Sequence, residues 1–134
     1  MVEEARRIEL SAEPEAVSRI RAEIEAYGSE RGMEPERLAD LKTVVSEACG
    51  NVVRYAYEEN AENKPLEVTI TTVGRELEVS VKDEGGGIRP NVKGKTPGLG
   101  LGLPLIGALS SHFHLRSRLG GGTELVMSVP IASQ

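Results

Sequence analysis

The stretch "PLEVTITTVGRELEVSVKDEG", residues 65–85, decides the fold, because apolar and polar residues alternate along both of its halves. Alternation with a period of two is typical of strands that bury one face, and Gly74-Arg75 separates the two halves as a turn would. The sequence therefore predicts an antiparallel hairpin at this position.

Apolar residues upstream of the hairpin recur at helical spacing instead. A short strand at residues 6–10 is followed by a first helix that closes near Gly28 or Gly32 and by a second that ends near Glu59. The apolar stripes that define the two helices are Val17, Ile20, Ile24 and Tyr27, and then Leu38, Leu41, Val45, Ala48, Val52 and Tyr55. Steps of three and four residues place each stripe on one face of its helix.

Downstream of the hairpin, residues 85–102 are rich in glycine and lysine and have no periodic apolar face, which predicts a long loop. A third helix is expected at residues 103–111, with Pro104 in its first turn, and a final hairpin at residues 114–118 and 123–131. The order βααββαββ predicts a single domain over residues 1–134. Its fold class is a two-layer α/β sandwich, in which a mixed, mostly antiparallel sheet is covered on one face by three helices.

The composition disfavours some classes of function. The chain has 16 Lys and Arg against 21 Asp and Glu, a net charge of -5, so we do not expect it to bind nucleic acid. No uncharged apolar run is long enough to span a bilayer, and no signal peptide begins the chain, which predicts a soluble cytoplasmic protein. The single cysteine, Cys49, lies in an apolar helical stripe and is expected to be buried.

Two Gly-rich segments are candidate binding elements. Asp83 continues the buried face of its strand, so its carboxylate either turns to solvent or meets a ligand, and Gly85 and Gly87 follow it. In "GLGLGLP" the glycines Gly98, Gly100 and Gly102 precede the third helix, whose N-terminus favours phosphate. Lys93 and Lys95 lie just upstream, where they could meet phosphate oxygens. A flexible helix entry would explain the same glycines without any ligand.

Three polar residues face the same region. Glu47 and Asn51 lie one turn apart at the margin of the second helix's buried stripe, where a carboxylate can act as a base and an amide oxygen can bind Mg²⁺. A solvated helix face is the plainer alternative. Thr123 shares the strand phase of Leu125, so its hydroxyl is expected to face inward near Asp83.

Taken together, "EACGN", "DEGGG", "GLGLGLPLIGAL" and "GGGTEL" resemble, in that order, the N box and the three glycine boxes of the GHKL ATPases and kinases, which include gyrase, histidine kinases and MutL. These proteins share the Bergerat-type ATP-binding fold. Within this group the phrase "SEACGNVVRYAYEEN" resembles the bacterial anti-sigma-factor serine/threonine-protein kinases. Tyr55 stands where many of these kinases have a histidine.

The resemblance implies the role of each candidate. Glu47 would be the catalytic base, Asn51 the Mg²⁺ ligand and Asp83 the acid that binds the adenine amino group of ATP. The remaining nucleotide-binding residues that the resemblance implies would be Gly85, Gly87, Gly98, Gly100, Gly102 and Thr123. Lys93 and Lys95 join them through their position in the loop before the third helix.

The resemblance also implies partners: a sigma factor, and a small STAS-domain anti-anti-sigma protein that the kinase phosphorylates, with the kinase acting as a homodimer. The alternative is an ATP-binding switch module, such as a phosphatase activator, that exchanges partners without phosphotransfer. The catalytic half of a histidine kinase is disfavoured, because His112 and His114 lie at a helix-to-strand junction and not on a preceding dimerisation helix.

Overall fold

The computed structural model describes residues 5–85 and 97–133. Its elements are β1 (Arg6–Ser11), α1 (Pro14–Glu30), α2 (Pro35–Asn51), a π-helical segment (Val52–Ala56), β2 (Pro65–Val73), β3 (Glu76–Asp83), α3 (Pro97–Leu109), β4 (His112–Ser117) and β5 (Thr123–Pro130). The predicted order βααββαββ is confirmed. The strands form one sheet in the order β1-β2-β3-β5-β4, and every neighbouring pair is antiparallel.

The core lies between the inner face of the sheet and the helices. Every second residue of the strands points inward and forms one side of the core, and the apolar stripes of the helices form the other side. Cys49 is among the buried residues, and burial raises the pKa of its thiol to about 12, so it stays a neutral thiol at physiological pH. The α/β sandwich that the alternating hairpin predicts is confirmed.

Two helix boundaries differ from the sequence prediction. The second helix ends at Asn51 and continues as the π-helical segment to Ala56, not as α-helix to Glu59. The third helix starts at Pro97 instead of Leu103, so Pro104 lies inside it and not in its first turn. Proline is favoured at the first position of a helix, and Pro97 meets that preference although the apolar pattern starts later.

The outer face of the sheet carries a ladder of alternating charges, one from each strand. Glu67 pairs with Arg7 and lies 3.5 Å from Lys82, which lies 3.9 Å from Glu124. Glu124 in turn lies 2.6 Å from Arg116. The ladder explains how a sheet with helices on one face alone keeps a hydrophilic second face.

Glu124 is the least exposed member of this ladder, and we expect Glu124→Gln to destabilise the fold. Burial alone would raise the pKa of Glu124, but hydrogen bonds from Ser80 and Arg116 and the charges of Arg116 and Lys82 outweigh it, so the pKa is lowered. A carboxylate whose pKa is lower in the folded state stabilises the folded protein at pH values above its pKa in the unfolded state. This stabilisation is lost as the pH falls through the pKa of the folded state. The variant should lose about 1–3 kcal/mol of unfolding free energy at pH 7.

Urea unfolding at two pH values measures this effect. The difference between the variant and the wild type should shrink once the pH falls below the ordinary glutamate value of 4.5. Glu78→Gln is the matched control, since Glu78 lies on the outer face of β3 and forms no ion pair within residues 5–85 and 97–133. A pH-independent difference would contradict the role assigned to the Glu124 charge.

Candidate functional site

The C-terminal end of α2 carries the first two candidates. Glu47 and Asn51 lie one helical turn apart on α2, and Asn51 is the last residue before the π-helical segment. Asn51 is fully buried, whereas Glu47 is half-buried. Short π-helical insertions occur frequently at functional sites, because they reorient the side chains beside them.

The Asn51 side chain is oriented by a cation. Its Oδ1 accepts a hydrogen bond from Nη2 of Arg54 at 3.0 Å, which fixes which end of the amide carries the oxygen. The other end, Nδ2, is buried and has no hydrogen-bond partner among the described residues. Leaving a buried donor unpaired costs about 1–3 kcal/mol of stability. An unpaired donor of this kind is typical of a site that is completed by a ligand or water.

A cation could approach Asn51 only through its side-chain oxygen. That oxygen has two lone pairs and accepts from the Arg54 guanidinium in this structure, so the guanidinium would have to move aside for a cation to bind there. No cluster of three or more His, Cys, Asp or Glu side chains that could hold a metal occurs in the ranges that the structure covers. Mg²⁺ takes few protein ligands and relies on substrate phosphates and water for the others.

Glu47 differs from other acids on the same pair of helices. Glu25 pairs with Lys42 at 2.6 Å, and Asp40 pairs with Arg37 at 2.9 Å. Within the described part of the chain, no hydrogen bond or ion pair involves the Glu47 carboxylate. No described group therefore competes with a substrate for the Glu47 carboxylate.

Asp83 ends β3 and is almost fully buried, with 2 % of its surface exposed. Of the two alternatives that the sequence left open, a side chain turned to solvent is therefore wrong. One carboxylate oxygen accepts a hydrogen bond from the Gly85 amide at 2.9 Å. In the register of β3 and β5, Asp83 lies directly opposite Thr123, as the strand phase predicts.

Two glycines are required by close contacts around the turn that follows Asp83. A Cβ on Gly122, whose φ is +99°, would lie 2.1 Å from the Asp83 carbonyl oxygen. A Cβ on Gly85 would lie 2.1 Å from the Ala56 carbonyl oxygen. Both distances are far inside van der Waals contact, so the turn after Asp83 packs directly on the end of the π-helical segment on one side and on the β4–β5 turn on the other.

Sequence reasoning missed several residues of this region. Arg118 Nη1 donates to the Asp83 carbonyl at 2.9 Å, and the Tyr57 hydroxyl accepts from the Glu84 amide at 2.8 Å. Gly122 and Tyr57 occur in the motifs "GGGTEL" and "YAYEEN". The glycine run and the aromatic residue in these motifs could therefore have identified them as residues of the site. Arg118 has no sequence signal of its own.

The structure thus brings together Asp83, Gly85 and Thr123, and it joins their turn to the helix that carries Asn51 and, one turn earlier, Glu47. Gly98, Gly100 and Gly102 lie in the N-terminal half of α3, which packs against α2, and not in a loop before it. Gly87, Lys93 and Lys95 lie outside the described residues.

No helix in the described ranges is both long enough and apolar enough to cross a membrane.

Comparison with known families gives a match over most of the chain. The sequence model described as histidine kinase-like ATPase domain matches residues 10–129. An anti-sigma F factor from Clostridium acetobutylicum is 30% identical over 143 aligned positions that cover 98% of this chain and 97% of the relative. A serine-protein kinase RsbW from Bacillus subtilis is 37% identical over 78 positions, which cover 58% of this chain and 48% of the kinase.

Solved structures show the same fold. The RsbU and RsbW domains of a Mycobacterium tuberculosis protein superpose with a TM-score of 0.71 at 20% identity, covering 94% of this chain and 32% of that one. A blue-light activated histidine kinase from Erythrobacter litoralis gives a TM-score of 0.62 at 20% identity, covering 88% of this chain and 41% of that one. At this identity the likeness establishes the fold alone.

Proposed function

This chain belongs to the histidine kinase-like ATPase domain family, and from that premise we propose that it is an anti-sigma factor and an ATP-dependent protein serine/threonine kinase. The observation that carries the proposal is the Glu47 carboxylate, which has no partner among the described residues and lies one turn before the buried amide of Asn51, on a helix whose π-helical extension contacts the turn after Asp83. Similarity to relatives named anti-sigma F factor and serine-protein kinase supports it.

The adenine end of the site would be formed at the ends of β3 and β5. The Asp83 carboxylate accepts from the adenine amino group, and Thr123, directly opposite, supports that contact. Desolvation of Asp83 strengthens such a hydrogen bond, because charge interacts more strongly in a low dielectric. Gly85 keeps the turn against the π-helical segment, so the carboxylate is held in place before ATP arrives.

The phosphate end would lie between α2 and the N-terminal half of α3. Asn51 would hold Mg²⁺, and the ion would neutralise charge on the phosphates. Gly98, Gly100 and Gly102 let the backbone approach the phosphates, and Lys93 and Lys95 add positive charge, whereas Gly87 helps to shape the adenine pocket. The assignments of Asn51 and the glycines follow the family resemblance of the motifs, and those of the two lysines follow from their position in the sequence.

Glu47 would act as the general base. The hydroxyl oxygen of a serine or threonine on the partner forms a bond to the γ-phosphorus of ATP, the bond from that phosphorus to the bridging oxygen breaks, and ADP leaves. The hydroxyl proton passes to the Glu47 carboxylate. General-base catalysis of this kind contributes about 10²–10⁴-fold to a rate.

The partners would be a sigma factor and a STAS-domain anti-anti-sigma protein that receives the phosphate. We also propose that the protein acts in the cytoplasm as a homodimer and does not bind nucleic acid. Its acidic composition, with a net charge of -5, supports the last point.

Incubation of the purified chain with radiolabelled ATP and Mg²⁺, and with a STAS-domain protein from the same organism, tests this function. We expect label on a serine or threonine of the STAS-domain protein and none when Mg²⁺ is chelated. ATP binding by calorimetry without any transferred label would instead support a switch module that exchanges partners. Absence of ATP binding would overturn the proposal as a whole.

A further inference from the structure

Tyr57 connects three segments of the chain through one hydroxyl group. It follows the π-helical segment directly, and its hydroxyl donates to the carbonyl of Pro65 at the start of β2. The same oxygen accepts a hydrogen bond from the Glu84 amide at 2.8 Å, within the turn that follows Asp83. A single side chain thereby links the end of the α2 helix to the end of β3.

The Tyr57 ring also contacts this turn. A Cβ placed on Gly85 would lie 2.8 Å from two carbons of the ring, so the backbone of the turn packs directly on the aromatic face. Tyr57 is half-buried, and burial, with smaller contributions from the charges of Asp83 and Glu84, raises the pKa of its phenol above the ordinary value of 10.0. The hydroxyl is therefore neutral at physiological pH and can donate and accept at once.

The opposite side of the turn is held independently. Arg118 donates to the Asp83 carbonyl at 2.9 Å, and Gly122 packs against the same oxygen. Strand pairing with Leu66 and Thr123 keeps Asp83 itself in the sheet. Without the Tyr57 hydroxyl the sheet would remain, but the amide of Glu84 would lose its partner and the turn would be fixed on one side only.

We propose that Tyr57 is a positioning residue that fixes the turn at residues 83–85 against the end of the α2 helix and so sets the direction in which the Asp83 carboxylate meets adenine. The inference rests on the proposed nucleotide site. Hydrogen bonds weaken steeply when their angle departs from linear, so a small rotation of this turn lowers adenine affinity. The phosphate end of the site does not depend on that angle.

The test is Tyr57→Phe, which removes the hydroxyl and keeps the ring. We expect ATP and ADP to bind roughly 3–10-fold more weakly, and equally so, because both share the adenine contact. For phosphotransfer, KM for ATP should rise while kcat at saturating ATP stays unchanged. Hydrogen exchange of the Glu84 amide should accelerate in the variant without any nucleotide.

Tyr27→Phe is the matched control, since it also removes a hydrogen-bonded tyrosine hydroxyl, which lies 3.2 Å from Thr72 Oγ1 in the core. It should lower the unfolding midpoint and leave nucleotide affinity unchanged. Arg118→Gln, which loosens the same turn from its other side, should weaken ATP and ADP alike.

The outcomes separate this inference from the function on which it rests. Failure of the wild-type chain to bind ATP would overturn both. Wild-type binding with equal affinity in Tyr57→Phe would overturn the positioning role alone, as would a loss of affinity confined to ATP or an equal loss in Tyr27→Phe. Weaker binding of both nucleotides together with faster Glu84 exchange would support it.

Discussion

Replacement of Glu47 by glutamine should lower phosphotransfer to the partner protein by about 10²–10⁴-fold, the usual contribution of a general base. Glutamine has nearly the same shape as glutamate but does not accept the proton of the attacking hydroxyl. Because Glu47 forms no hydrogen bond or ion pair with other described residues, its replacement leaves no buried partner unpaired. Transferred label per unit time at saturating ATP measures the effect.

ATP affinity is the second readout for Glu47→Gln, and it should equal that of the wild type in calorimetry. Glu36→Gln is the control, because Glu36 is an exposed acid in the first turn of the same helix. Equal transfer rates in the wild type and Glu47→Gln would show that another group takes the proton. A large loss of ATP affinity would show that Glu47 acts mainly in binding.

Asp83→Asn should weaken ATP binding by about 1.5–3 kcal/mol, the contribution of a hydrogen bond to a charged group, or roughly 10–150-fold in Kd. The substituted side chain retains an oxygen for the Gly85 amide, which now lies 2.9 Å from the carboxylate. The turn should therefore persist while the charged acceptor for the adenine amino group is lost. Titration calorimetry with ATP and ADP measures the loss.

Base preference separates this role from a general effect on the fold. The wild type should favour ATP over GTP, and Asp83→Asn should reduce that preference, since guanine has no amino group at the position that the carboxylate recognises. Asp40→Asn, which changes an acid on α2 that pairs with Arg37, serves as the control and should leave nucleotide affinity unchanged. Unaltered ATP affinity in Asp83→Asn would refute the adenine contact.

Short-range patterns predicted most of the fold. Alternation in residues 65–85 specifies β2 and β3, because a period of two places one face of each strand in the core whatever packs against it. Helical stripes specify α1 and α2 for the same reason. The start of α3 was wrong, since glycine and leucine alternate in residues 98–103 and give no helical stripe, while Pro97 marks the actual beginning.

The candidate site, like the fold, was predicted from the sequence in part only. Motif order pointed to Glu47, Asn51, Asp83 and Thr123, and these residues lie where helical and strand periodicity place them. Whether Asp83 faced solvent or the interior was open in the sequence, because a strand-end acid satisfies either pattern. The structure shows that its carboxylate is buried and that the turn after it packs on the π-helical segment.

The sequence by itself determined the order of elements, the buried faces and the residue types available for chemistry, since each depends on neighbours within a few positions. The tertiary structure alone decided which distant groups touch: the Arg118 guanidinium on the Asp83 carbonyl and the Tyr57 hydroxyl on the Glu84 amide. These contacts span 35 and 27 positions of the chain. Such distances in sequence are closed by burial of the whole core, which no local pattern records.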